Sequence, residues 1–173
     1  MQQMTLDDDP GRAEAQLYRR LEAIDVAYMS HSHRPVFTVE EARALRGSLP
    51  GQHCKCLFLI DRKGALFLAV MREEIAADLK WLSDALGAGR FSFGKPELMR
   101  EVLGVQPGAV TPFALMNDRA HRVTPVLDAA MLDASLVNYH PLRNDRTTAI
   151  PPEGLLRFIA ACGHAPRILR FPD

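Results

Sequence analysis

The chain has 173 residues, 47% of them hydrophobic and 24% charged, with a formal net charge of zero. That length suits one domain with a real core, and the even charge balance does not describe a strongly basic nucleic-acid binder, although it leaves room for a local basic patch. No apolar run approaches the roughly 20 residues of a membrane span, MQQMTLDDDPGR is acidic and lacks a signal-peptide core, and three cysteines give no disulfide framework. A cytoplasmic protein without a membrane partner is expected.

Residues 1–10 read as a loose arm ahead of one domain spanning 11–173. RAEAQLYRRLEAID places Leu17, Leu21 and Ile24 on one helical stripe. VAYMSHSH is a short strand. TVEEARALRG is a helix with Thr38 as N-cap, Glu41 completing a capping box and Gly47 past its end. CKCLFLID and ALFLAVM are strands around Arg62-Lys63-Gly64. EEIAADLKWLSDALG is a helix with Ile75, Leu79, Leu82 and Leu86 on one face, stopped at Gly87. RFSFG is a brief strand and PELMREVLG a helix opened by Pro96. Gly104, Pro107, Gly108 and Pro112 then break the pattern. FALMND, RVTPVLD and SLVNYH read as strands, with a helical turn near Ala129–Leu132. PPEGLLRFIAACG is a last helix and APRILRF a last strand. The expected fold class is α/β: one compact domain, a mixed sheet with helices packed on it.

Within HCKCLFLID, strand alternation puts His53, Lys55, Leu57 and Leu59 on one face and Cys54, Cys56, Phe58 and Ile60 on the other. A lysine on an apolar face is costly to bury as a cation unless something uses it. The bland alternative is a stem that snorkels to water. The same alternation separates His53 from Cys54 and Cys56, so these do not form a zinc set with Cys162 and His164, and buried cysteines acting as small hydrophobes fit better. Neither Cys54 nor Cys56 opens a helix that would activate a thiolate. Two polar or glycine-rich stretches remain. NYHPLRNDRTTAI follows a strand, where loops often carry function, or it is a turn that satisfies its own backbone. GVQPGAVTPF either brings backbone close to a ligand at Gly108 or braces a connector.

Three pieces in this order resemble one family, the YbaK and prolyl-tRNA-synthetase-associated editing domains. They are CKCLFLID, the G-x-x-x-P loop Gly108–Pro112, and HPLRNDRTTAI. The resemblance runs from the first helix to the last strand and is closest to the free-standing ProX-type members, which clear alanine from proline tRNA. Many relatives carry asparagine after the lysine, where this chain has Cys56, a position that alternation turns away from Lys55. The resemblance implies hydrolysis of the ester of mischarged proline tRNA in trans, with Lys55 and Gly108 in catalytic roles. It implies Leu57, Ala109, Pro112, His140, Asn144 and Thr147 as substrate-binding residues, no metal and no cofactor. The partner is the acceptor end of tRNA, with translation components as a further possibility. Such editing is needed because one methylene is worth only about 1–3 kcal/mol of discrimination. The absence of a G-x-S-x-G element fits direct attack by water. Open alternatives are a tRNA-binding module without chemistry, a cysteinyl-tRNA deacylase, and a hydrolase of small esters.

Overall fold

The computed structural model of the protein describes residues 9–35, 38, 40, 41, 44 and 49–173. Its elements are α1 (Pro10–Ala23), β1 (Met29–Ser32), β2 (Gln52–Asp61), β3 (Leu66–Arg72), α2 (Leu79–Leu86), β4 (Phe91–Phe93), α3 (Pro96–Leu103), β5 (Val123–Asp128), β6 (Val137–Tyr139), β7 (Arg146–Ile150), α4 (Pro152–Ala161) and β8 (Arg167–Leu169). Short 3-10 segments occupy Pro112–Asn117 and Ala129–Asp133. Most of the expected arm at residues 1–10 lies outside the described residues; Pro10 already opens α1, with the Asp9 carboxylate accepting from the Gly11 and Arg12 N–H groups. Much of the helix expected from Thr38 to Gly47 also lies outside them, although Thr38 Oγ1 accepts from the Glu41 N–H at 3.1 Å.

The eight strands form one mixed sheet in the order β1-β7-β6-β2-β3-β5-β8, with β4 pairing β2. The long strand β2 organises it. One edge pairs antiparallel with β3 from Cys54 to Ile60. The other edge changes partner: Gln52 and His53 pair in parallel with β6, whereas Leu59–Asp61 pair antiparallel with β4. Alternation then sends side chains to two separate cores. The larger takes Phe58, Leu66, Leu68, Val70, Val137 and Ile150 beneath α1, α3 and α4. The smaller takes Leu59, Phe67, Ala69, Met71 and Val126 beneath α2, with Phe91 and Phe171. The mixed sheet with packed helices is the expected fold class.

Three local expectations are corrected. FALMND is a 3-10 segment, not a strand, because Pro112 opens it, the Thr111 hydroxyl caps the Phe113 N–H, and all of Pro112–Met116 is buried, which leaves no alternation to favour a strand. The helix expected from Glu73 begins only at Leu79, because the Asp78 carboxylate caps the Trp81 N–H at 3.0 Å. The preceding residues run irregularly, with Ile75 buried in the smaller core. Finally, RTTAI is the strand β7, so Thr147 sits on a strand rather than in a loop.

Candidate active site

Register fixes which side chains share the face of Lys55. Directly paired residues project to the same side of a sheet. His53 pairs with Asn138, Asn138 with Ala149, and His31 with Thr147. Lys55, His53, Asn138, Ala149, Thr147 and His31 therefore line one face, continuous with Leu57, Leu59 and Met71. The parallel register His53–Asn138 also has a consequence one step further on. Two residues further along, Lys55 is already past that pairing, where β6 leaves β2 and its edge passes to β4, and His140 follows Tyr139 out of β6.

The two ends of this face differ sharply. Around Leu59, α2 and Phe171 cover it, and a cavity of about 10 Å³ lined by Leu57, Met71, Leu79, Trp81 and Phe171 has room for no more than a water. Lys55 itself pairs with the buried Met71, and from there toward β6 the neighbours turn polar. The Lys55 ammonium donates to the Ile75 carbonyl. The His53 ring meets the Leu49 carbonyl at 3.2 Å, and the Asn138 amide donates to the Pro50 carbonyl at 2.9 Å. Gly51, at φ 103°, lets that segment lie against the sheet, since a Cβ there would stand 2.8 Å from Asn138 Nδ2. Cys54 and Cys56 pack on the opposite face against the larger core, as the alternation requires. Burial pushes the Cys54 thiol up to about 12 and the Cys56 thiol well above its ordinary range, which makes both poor nucleophiles. His164 is far from this set in chemistry, its Nε2 held 2.9 Å from the buried Asp118 carboxylate.

The glycine loop meets the polar connection between β6 and β7. Gln106-Pro107-Gly108-Ala109 closes with the Ala109 N–H on the Gln106 carbonyl at 3.0 Å and Gly108 at φ 92°, the signature of a type II turn with proline then glycine at its centre. A Cβ built on Gly108 would lie 3.8 Å from Asn144 Nδ2. Ala109 and Pro112 are buried, so they anchor the loop in the larger core. The connection itself is pinned from the other side. Arg143 makes a two-pronged ion pair with Asp145, with one leg at 2.7 Å, and reaches Glu14 of α1 at 3.5 Å, while Arg146 reaches Glu14 at 3.4 Å. The Arg143 guanidinium holds Asp145 below the usual carboxylate range. Thr148, facing the other way from Thr147, joins Ser30 at 2.7 Å and Tyr18.

His140 donates from Nδ1 to the Arg146 carbonyl at 2.9 Å, since a carbonyl only accepts. Burial lowers its proton affinity below the ordinary value of 6.5; the Arg146 bond opposes this, His33 adds to it and Asp145 opposes it. The ring of His33 stands 6.2 Å from that of His140, and its Nε2 lies 2.9 Å from Thr147 Oγ1.

Of the residues singled out from sequence, Lys55, Leu57, His140 and Thr147 thus share one sheet face or its rim, and Gly108 and Asn144 meet at the adjoining loops. Sequence reasoning did not single out His33, Asn138 or Glu14. The alternation of MSHSH held the signal for His33; Glu14, three residues before Leu17, falls on the buried stripe of α1, and its role shows once its arginine partners are placed.

Comparison with known proteins finds relatives that cover most of the chain. A family model described as an aminoacyl-tRNA editing domain matches residues 33–158. "Prolyl-tRNA synthetase associated domain-containing protein 1" of Danio rerio is 37% identical over 153 residues, covering 87% of this chain and 83% of the relative. "Prolyl-tRNA editing protein ProX" of Acetoanaerobium sticklandii is 31% identical, covering 88% and 93%. Among solved structures, one described as a putative trans-editing enzyme for prolyl tRNA synthetase superposes with a TM-score of 0.71 at 20% identity, covering 93% of this chain and 97% of that one. Among the described residues no helix is long and apolar enough to cross a membrane.

Proposed function

Because the chain belongs to the aminoacyl-tRNA editing domain family, we propose that it hydrolyses the ester of mischarged proline tRNA, and that alanine is the residue removed. The observation that carries this reading is the position of Lys55: a lysine two residues beyond the parallel register that brings Asn138 to His53, on the same sheet face as both. Water attacks the ester carbonyl, the ester C–O bond breaks, and the proton lost by water ends on the ribose oxygen that leaves. Free amino acid and uncharged tRNA result. Lys55 gives up the Ile75 carbonyl and stabilises the oxyanion that forms, the kind of preorganised charge worth most in the transition state. The Ala109 N–H is already taken by Gln106, so the loop's contribution comes from the backbone at Gly108 or Val110. Asn144 and Thr147 border the substrate, and Leu57 forms the apolar wall nearest Lys55.

Size selection for alanine follows from close packing, because the ring of proline adds bulk that a packed wall does not absorb without strain. The test is a deacylation assay with alanyl-, cysteinyl- and prolyl-tRNA for proline on the parent protein, Leu57→Ala and His140→Ala. Preference for the alanyl ester, with either variant gaining prolyl-tRNA cleavage, is the expected result. Equal cleavage of all three, or preference for the cysteinyl form, removes the alanine assignment. Tight tRNA binding without turnover marks a binding module, and activity on free amino-acid esters alone marks a small-ester hydrolase.

A further inference from the structure

Resting on the deacylase reading, we propose that His33 is a positioning residue: it holds the peptide that receives the His140 proton, and so fixes the tautomer that leaves the lone pair on His140 Nε2.

The geometry brackets one carbonyl. His33 lies just past β1, and its own N–H donates to the Asp145 carbonyl at 2.9 Å, extending the β1–β7 pairing by one bond. Its ring reaches to the other side of Arg146. Nδ1 lies 2.7 Å from the Arg34 carbonyl, which only accepts, so Nδ1 carries a proton. In the neutral ring, Nε2 is then an acceptor, and the bond at 2.9 Å runs from the Thr147 hydroxyl to it. Arg146, whose carbonyl receives the His140 Nδ1 proton at 2.9 Å, is thus held through residue 145 on one side and residue 147 on the other. With Nδ1 as its donor, a neutral His140 has its lone pair on Nε2, free to accept from a hydroxyl.

The surroundings favour that neutral form. Desolvation lowers the proton affinity of His140, with the His33 ring, 6.2 Å away, adding to the effect. The other charged group that acts on it is Asp145 in its own connection. His33 is only half-buried, so replacing it leaves the core intact.

Nitrogen NMR of the full-length labelled protein reads the tautomer and titration of each imidazole without any tRNA, with His140→Gln used to assign the signal. In the parent, neutral His140 should carry its proton on Nδ1. His33→Ala should mix the tautomers, raise the His140 midpoint and lower kcat/KM for alanyl-tRNA about tenfold or more, with the deficit larger at pH 6 than at pH 8. His33→Gln, whose amide oxygen can still accept from Thr147, should keep the Nδ1–H tautomer and most of the activity. An unchanged His140 tautomer and midpoint in His33→Ala overturns the proposal, whatever happens to turnover. A parent that never deacylates tRNA overturns the enzymatic reading instead, and the His140 tautomer in His33→Ala then still decides whether His33 positions that ring.

Discussion

One strand passes through two environments on the same face of the sheet. At Leu59, β2 is flanked by β3 and β4, covered by α2, and wholly apolar. At His53, six residues earlier, the flank is β6, and this end of the face carries His53, Lys55, Asn138 and Thr147, with Met71 of β3 opposite Lys55. The backbone is continuous; the partner strand is what changes. Where β6 leaves and before β4 joins, the sheet has a gap in its pairing on one edge, and Lys55 lies in that gap. The apolar end supplies rigidity, and the polar end, built on the same strand, inherits precise placement at little cost in stability.

That contrast predicts opposite phenotypes. Leu59→Ala, at a position with no exposed surface, should lower stability by about 2–5 kcal/mol while deacylation per folded molecule persists at temperatures where the variant is native; urea unfolding beside a turnover assay checks both. If Leu59→Ala removed activity without affecting stability, the division between the two ends would be wrong. Gly108→Ala comes next. The new methyl meets only Asn144 at an ordinary contact distance, so the penalty is backbone strain at φ 92°, about 1–3 kcal/mol. Deacylation should fall with it as the turn relaxes. A Gly108→Ala protein with parental melting and parental turnover would show that the loop's backbone geometry is immaterial.

The smallest expected effect is a pH dependence. Burial holds His140 below its ordinary 6.5 in the folded chain, against the Arg146 bond, with His33 assisting and Asp145 opposing. The unfolded chain therefore takes up this proton first as the solution is acidified. The stability His140 contributes is full above about 6.5 and is lost as pH falls from there through the lower folded value. His140→Gln should flatten the melting temperature's dependence on pH in that window. An equal slope in parent and variant would place the ring in water rather than in the site.

Much of the fold was legible because a strand has period two. HCKCLFLID assigns Lys55 and Cys56 to opposite faces without any knowledge of the partners, and the structure keeps that assignment. Capping signals likewise located α3 and α4. What sequence did not reveal lay where periodicity is silent. Pro112–Met116 is buried on every side, so helix and strand look alike there. The residues before Leu79 have helical spacing, but Asp78 caps the chain and stops the helix from extending back. Within the candidate site, Thr147 was expected in a loop because RNDRTT is polar, yet polar residues suit a strand whose outer face meets histidines rather than a core. Register between β2 and β6, which sets Asn138 beside His53 on the face of Lys55, is a tertiary fact that no local pattern encodes.

The central claim is that the polar end of this face performs the chemistry through Lys55. The most direct test is single-turnover deacylation of alanyl-tRNA for proline by the parent and by Lys55→Ala, with thermal melts of both. A loss of rate on the order of a hundredfold with an unchanged melting temperature is the predicted result. A folded Lys55→Ala protein that deacylates at the parental rate would contradict it.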